Sequence, residues 1–125
     1  MSTMLHSIAI FVTDLERARI FYEEALELPL HIQGAFGFQF LDQAPHIGVH
    51  PATHADAQAM VGRHTGITLG RADLLAFCVT LSEKNVTFVA EPTQQGFGIM
   101  AMVADPDGNV LALWEDNVTK SDDAT

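Results

Sequence analysis

The chain has 125 residues, 48% of them hydrophobic, and carries 16 Asp and Glu against 6 Lys and Arg, for a formal net charge of −10. That is one ordinary domain, or two small units sharing a core, and it is too apolar for disorder. The six basic residues (Arg17, Arg19, Arg63, Arg71, Lys84 and Lys120) are scattered, which argues against nucleic acid and anionic membrane as partners and is compatible with a neutral or cationic small molecule.

The first segment, MSTMLHSIAIFVTDLER, has no basic start and meets Asp14 after a short apolar run, so it reads as neither signal peptide nor membrane span. Cys78 is the only cysteine, which excludes an internal disulfide and a Cys-based zinc site. Both readings point to a cytoplasmic protein. On the apolar face of a helix, Cys78 reads as a small core residue rather than a nucleophile.

Leu5 to Val12 reads as a strand. Asp14 then caps a helix with Leu15, Ala18, Tyr22, Ala25 and Leu26 on one face, and Pro29 ends it. Residues 30–35, 36–41 and 46–50 are three short strands, separated by glycines and the DQAP turn. Residues 52–63 have weak pattern and read as a linker. The same order then recurs: a strand over 64–70, a helix capped by Asp73 and stopped at Asn85, and strands over 86–90, 99–104 and 109–115. Between the last two, Asp105-Pro106-Asp107-Gly108-Asn109 has the chemistry of a tight hairpin turn. The polar tail, residues 117–125, reads as frayed.

Superposing Asp14 on Asp73 aligns Leu15 with Leu74, Ala18 with Phe77 and Tyr22 with Leu81. The expected fold is therefore α+β: one domain of two paired βαβββ modules, about 5–51 and 64–116, forming curved sheets around a cavity. Each module has one helix for one sheet face. Pairing the two sheets, or pairing them with a second chain, would enclose a space for a small molecule.

The segments HSIAIFVTDLERARIFYEEALELPL and FGIMAMVADPDGNVLALWE resemble the opening and the closing hairpin of the vicinal oxygen chelate superfamily. That group contains glyoxalases, extradiol dioxygenases and bleomycin-resistance proteins. The resemblance implies paired βαβββ modules, a homodimer and, in the metal enzymes, four ligands from the first and last strands of the modules. Carried over residue by residue, those positions are Ser7, Gly48, Gly66 and Ala112, none of which is a usual ligand. No metal is therefore expected. His6, His50 and His64 lie within two residues of those positions, and His6 should point away from the cavity by strand alternation.

Strand alternation turns Ser7, Ala9 and Phe11 toward the cavity and Ile8, Ile10 and Val12 toward the helix. His50 and Trp114 share the face of Gly48 and Ala112, and Phe38 and Phe40 are expected to complete an apolar ring with Phe11. The candidate ligand-binding residues are thus Ser7, Phe11, Phe38, Phe40, His50 and Trp114, though each aromatic also fits a plain core or interface role. His50 is the best candidate for an acid/base or hydrogen-bonding group, with a solvated strand-end histidine as the alternative. His31, His46 and His54 fall in or near loops and read as solvated, and Glu115 should point outward.

Three functions compete. The first is metal-free binding of a small apolar or aromatic molecule, cationic ones included, as the resemblance to bleomycin-resistance proteins implies. The second is a metal-dependent lyase, isomerase or dioxygenase. The third is an interaction module whose pocket is filled. The expected partners are a small-molecule ligand and a second copy of the chain.

Overall fold

Two four-stranded mixed sheets with few helices make an α+β fold in the structure, a computed structural model that describes residues 1–117. The fraying expected of the tail beyond Asn117 lies outside the described residues. Two compact units emerge among the described residues, residues 1–63 with Asp105–Asn109, and His64–Ala104 with residues 110–117. Among the described residues, no helix is long and apolar enough to cross a membrane.

In the first unit, β1 (Ser7–Val12) pairs in parallel with β4 (His46–Pro51), and β3 (Gly37–Phe40) and β2 (Leu30–Gly34) follow antiparallel, in the order β1-β4-β3-β2. Ile10 and Val12 of β1 are fully buried, as are Phe40 and Val49. Asp14 caps α1 (Leu15–Arg19) as its sequence position predicts, its carboxylate accepting from the amides of Glu16 and Arg17 at 3.0 and 3.1 Å.

The helix does not stay α. Residues Ile20–Ala25 continue as a π-helical segment, closed by Leu26 N–H donating to the Phe21 carbonyl. The wider turn brings Phe21 into the core beside Tyr22, their rings edge-on at 4.8 Å. Phe21 is thus added to the apolar face read from the sequence. The helix leaves through Glu27 in the left-handed conformation, two residues before Pro29, so the stop precedes the proline. On the outer surface, Arg19 gathers the carboxylates of Glu16, Glu23 and Glu24, and its guanidinium holds the Glu16 carboxyl below its ordinary range.

The segment read as a linker contains a single helical turn, α2 (Ala55–Gln58), with the His54 ring accepting from the Ala57 amide at 3.4 Å. It buries Ala57.

The second unit repeats the order. Here β5 (His64–Gly70) pairs in parallel with β8 (Val110–Asp116), followed by β7 (Gly98–Ala104) and β6 (Thr87–Gln95), in the order β5-β8-β7-β6. Leu74, Phe77, Cys78 and Leu81 form the buried face of α3 (Leu74–Glu83), and Asn85 is left-handed beyond its end, as expected. Burial pushes the Cys78 thiol pKa up, with a smaller contribution from Glu91, which fits a core residue.

One cap differs from the sequence reading. The Asp73 side chain does not cap α3, because Arg71 engages its carboxylate at 2.8 Å. Glu115 takes the role: its Oε1 accepts from the Leu74 amide at 3.0 Å. Glu115 shares the parity of Leu111 and Leu113, so it points to the helix side of the sheet.

Candidate functional site: the helix-free sheet faces

Register fixes which residues share a face, because residues directly opposite in a ladder project to the same side. In the first unit Ser7 stands beside His46, Ala9 beside Gly48, and Phe11 beside His50. Gln39 stands opposite Gly48 on the same face. This is the face without a helix, and Ser7, Phe11 and His50 share it.

Phe38 and Phe40 do not. They stand opposite Val49 and Ile47, on the helix-covered side, and Phe40 meets the Tyr22 ring at 6.1 Å. Both are buried there. Their parity in β3 places them in the core of the first unit, so the expectation that they ring a binding face with Phe11 is corrected.

A phenylalanine absent from the candidate set takes their place. Phe36 sits in the two-residue turn between Gly34 and Gly37. Its carbonyl oxygen accepts from His50 Nδ1 at 2.9 Å, and its ring lies 6.2 Å from the imidazole. On the other side, Phe11 lies 5.9 Å from the same imidazole. The ring folds back over Gly48, where a Cβ would stand 2.5 Å from Nε2. Glycine at 48 leaves the space that the tip of the imidazole occupies. The signal for Phe36 was the pair of glycines flanking a two-residue turn.

Other histidines gather at the far end of this sheet. The His46 ring lies 5.2 Å from His6 and is stacked on His31, at 5.5 Å with planes 2° apart. His46 opens β4 rather than a loop, and its Nδ1 bonds the Leu41 carbonyl at 2.7 Å. His6 precedes the first residue of β1, so strand alternation does not turn it away as expected. It lies against His46 and 3.1 Å from the Ser7 hydroxyl.

In the second unit Trp114 stands beside Gly70 and opposite Met100, and Ala112 stands beside Thr68 and opposite Met102, all on the helix-free face. The indole lies across Gly98, where any Cβ would collide with it, and Nε1 donates to Asp116 at 2.8 Å. A bulge in β5 between His64 and Thr68 includes Gly66, at φ +76°. Thr68, rather than Gly66, is therefore the neighbour of Ala112, which shifts that carried-over position by two residues.

A divalent metal of the kind the family's enzymes use does not fit these side chains. Ser7, Gly48, Gly66 or Thr68, and Ala112 supply no imidazole, carboxylate or thiolate. Among the described residues, no group of three or more His, Cys, Asp or Glu is arranged to hold an ion. The stacked His31 and His46 rings lie in parallel planes, so their in-plane lone pairs do not converge on one point.

The turn Asp105–Asn109 is built into the first unit. Asn109 is fully buried; its Oδ1 accepts from the Gly62 and Arg63 amides and its Nδ2 donates to the Phe11 carbonyl at 3.0 Å. The Arg63 guanidinium donates to the Ala9 carbonyl, and Asp107 accepts from the backbone amide and hydroxyl of Thr13. Together these groups bond β1 at the Ala9 and Phe11 carbonyls and the chain just beyond it at Thr13, and so hold the strand that carries Ser7 and Phe11.

Comparison with known proteins accords with this architecture. No curated protein matches the chain. Among solved structures, a member of the glyoxalase/bleomycin resistance protein/dioxygenase superfamily from Sphaerobacter thermophilus DSM 20745 is 25% identical, with a TM-score of 0.77 over 92% of this chain and 98% of that one. TnmS3, an antibiotic binding protein from Streptomyces sp. CB03234, is 27% identical, with a TM-score of 0.73 over 92% and 97%. A glyoxalase/bleomycin resistance protein from the same Streptomyces strain is 25% identical, with a TM-score of 0.63 over 88% and 98%. The family model described as Glyoxalase/Bleomycin resistance protein/Dioxygenase superfamily matches residues 4–113, nearly the whole chain, and the chain belongs to that superfamily.

Proposed function

We propose that this chain binds a small, largely apolar or aromatic molecule against its helix-free sheet faces, without a metal. The observation that carries the reading is the composition of those faces. In the first unit Phe11, His50 and Phe36 lie about Gly48, and in the second Trp114, Met100 and Met102 lie about Ala112, each a position where the family's metal enzymes would place a ligand. Aromatic and thioether side chains with a few polar groups are the usual lining of a small-molecule site. The likeness to TnmS3, an antibiotic binding protein, supports binding over catalysis.

The net charge of −10 favours cationic over anionic ligands at long range. Pairing with a second copy belongs to the same proposal and rests on family likeness; sedimentation of the purified chain measures it. The metal-dependent lyase, isomerase or dioxygenase reading lacks side chains for its ion.

The test is a thermal-shift screen of flat aromatic compounds on chelator-treated protein, with metal content measured on the untreated sample. Stabilisation by several aromatics at sub-stoichiometric metal supports the proposal. Stoichiometric nickel, zinc, manganese or iron, or binding only after metal is restored, overturns it.

A further inference from the structure

The fold decides the hydrogen-bonding state of one imidazole on the first unit's helix-free face. His50 Nδ1 lies 2.9 Å from the Phe36 carbonyl oxygen. A carbonyl only accepts, so Nδ1 carries the proton and the neutral ring presents Nε2 as an acceptor. Among the described residues, no protein group donates to Nε2. Gly48 beneath it and the tilted rings of Phe11 and Phe36 on either side are apolar.

We propose that His50 Nε2 is the point of polar recognition, and that the ligand is a flat aromatic molecule whose ring hydroxyl donates to it. This rests on the small-molecule reading above and narrows it to a ligand class. A lone acceptor selects donors: an aromatic ether or ketone presents only lone pairs to Nε2 and gains no bond. A phenolic hydroxyl donates more strongly than an aliphatic one because it is more acidic. The flanking rings of Phe11 and Phe36 offer faces and edges to the aromatic body of the ligand. An ammonium group would also donate, but this cluster has no carboxylate to offset the cost of stripping its water.

The experiment compares naphthol with methoxynaphthalene, which share a ring system and differ in the donor, by fluorescence titration of the full chain at neutral pH. Wild-type protein should bind naphthol about tenfold more tightly than the ether, the size of one neutral hydrogen bond. His50→Phe keeps an aromatic ring and removes the acceptor, so the ratio of the two affinities, measured within the variant, should fall to about one. Gly48→Ala, which displaces Nε2, should also abolish the preference and serves if His50→Phe does not fold. Equal wild-type affinities overturn the phenol assignment and leave the aromatic-binding proposal standing. A preference retained in a folded variant overturns the role of His50. Binding of neither probe overturns both proposals.

Discussion

Tyr22 and Asp105, 83 positions apart in the chain, share a buried hydrogen bond of 2.6 Å from the phenol oxygen to Oδ2. Asp105 also accepts from the amides of Asp107 and Asn109 on Oδ1 and from Asn109 Nδ2 on Oδ2, so each carboxylate oxygen takes two bonds. The Asp-Pro-Asp-Gly-Asn sequence is therefore more than a reversal between two strands. It is a polar plug whose buried groups all find partners, as burial requires. Tyr22→Phe removes one charge-assisted bond and should lower stability by about 1.5–3 kcal/mol. Urea denaturation should show a lower midpoint with an unchanged slope.

The same contact predicts an alkaline transition. Burial, and then the nearby charges of Asp105 and Asp107, raise the Tyr22 pKa well above its ordinary value. A folded-state pKa above the unfolded one means that stability is fully present below the unfolded value, near 10, and falls as pH rises past it toward the folded pKa. Tyr22 is the only tyrosine in the chain, so its absorbance reports one group. Tyrosinate should appear together with unfolding above about pH 10. In Tyr22→Phe the loss of stability with pH should be shallower through that range.

The two helix starts should respond differently to loss of their aspartates. Asp14→Ala removes a side chain that caps α1 and should cost about 1 kcal/mol. Asp73→Ala should leave stability close to wild type, because its carboxylate pairs with Arg71 at the surface and caps nothing. Glu115→Ala should behave like the loss of a cap, again by about 1 kcal/mol. Thermal melts of the three variants check the order.

Gly48 and His50 should be energetically coupled. A methyl group at 48 enters the space of the imidazole and forces it off the Phe36 carbonyl. Gly48→Ala alone should cost about 1–2 kcal/mol through overpacking and the lost hydrogen bond. In a His50→Ala background the same change should cost little, because the obstructing ring is gone. A double-mutant cycle on urea midpoints measures the difference.

The repeated βαβββ order was legible because each half repeats the same alternation, helix spacing and capping aspartate. The helix-free placement of Phe11, His50 and Trp114 followed from counting by two within their strands. Phe38 and Phe40 are not placed by alternation alone, because their face depends on how β3 registers against β4, and the glycines that separate β2 from β3 do not by themselves give that register. The π-helical turn that buries Phe21 leaves no mark in a pattern of apolar residues spaced three and four apart. The bulge at Gly66 and the Glu115 cap depend on contacts between residues 41 or more positions apart, which local propensity does not encode. His6 escaped because alternation holds only inside a strand, and β1 begins one residue later.

The central claim, that the chain binds an aromatic ligand without a metal, is tested most directly by calorimetric titration of metal-stripped protein with naphthol. Saturable binding that is unchanged when zinc, nickel, manganese or iron is added back is the predicted result. Binding that appears only with a metal present, or no binding at all, would contradict it.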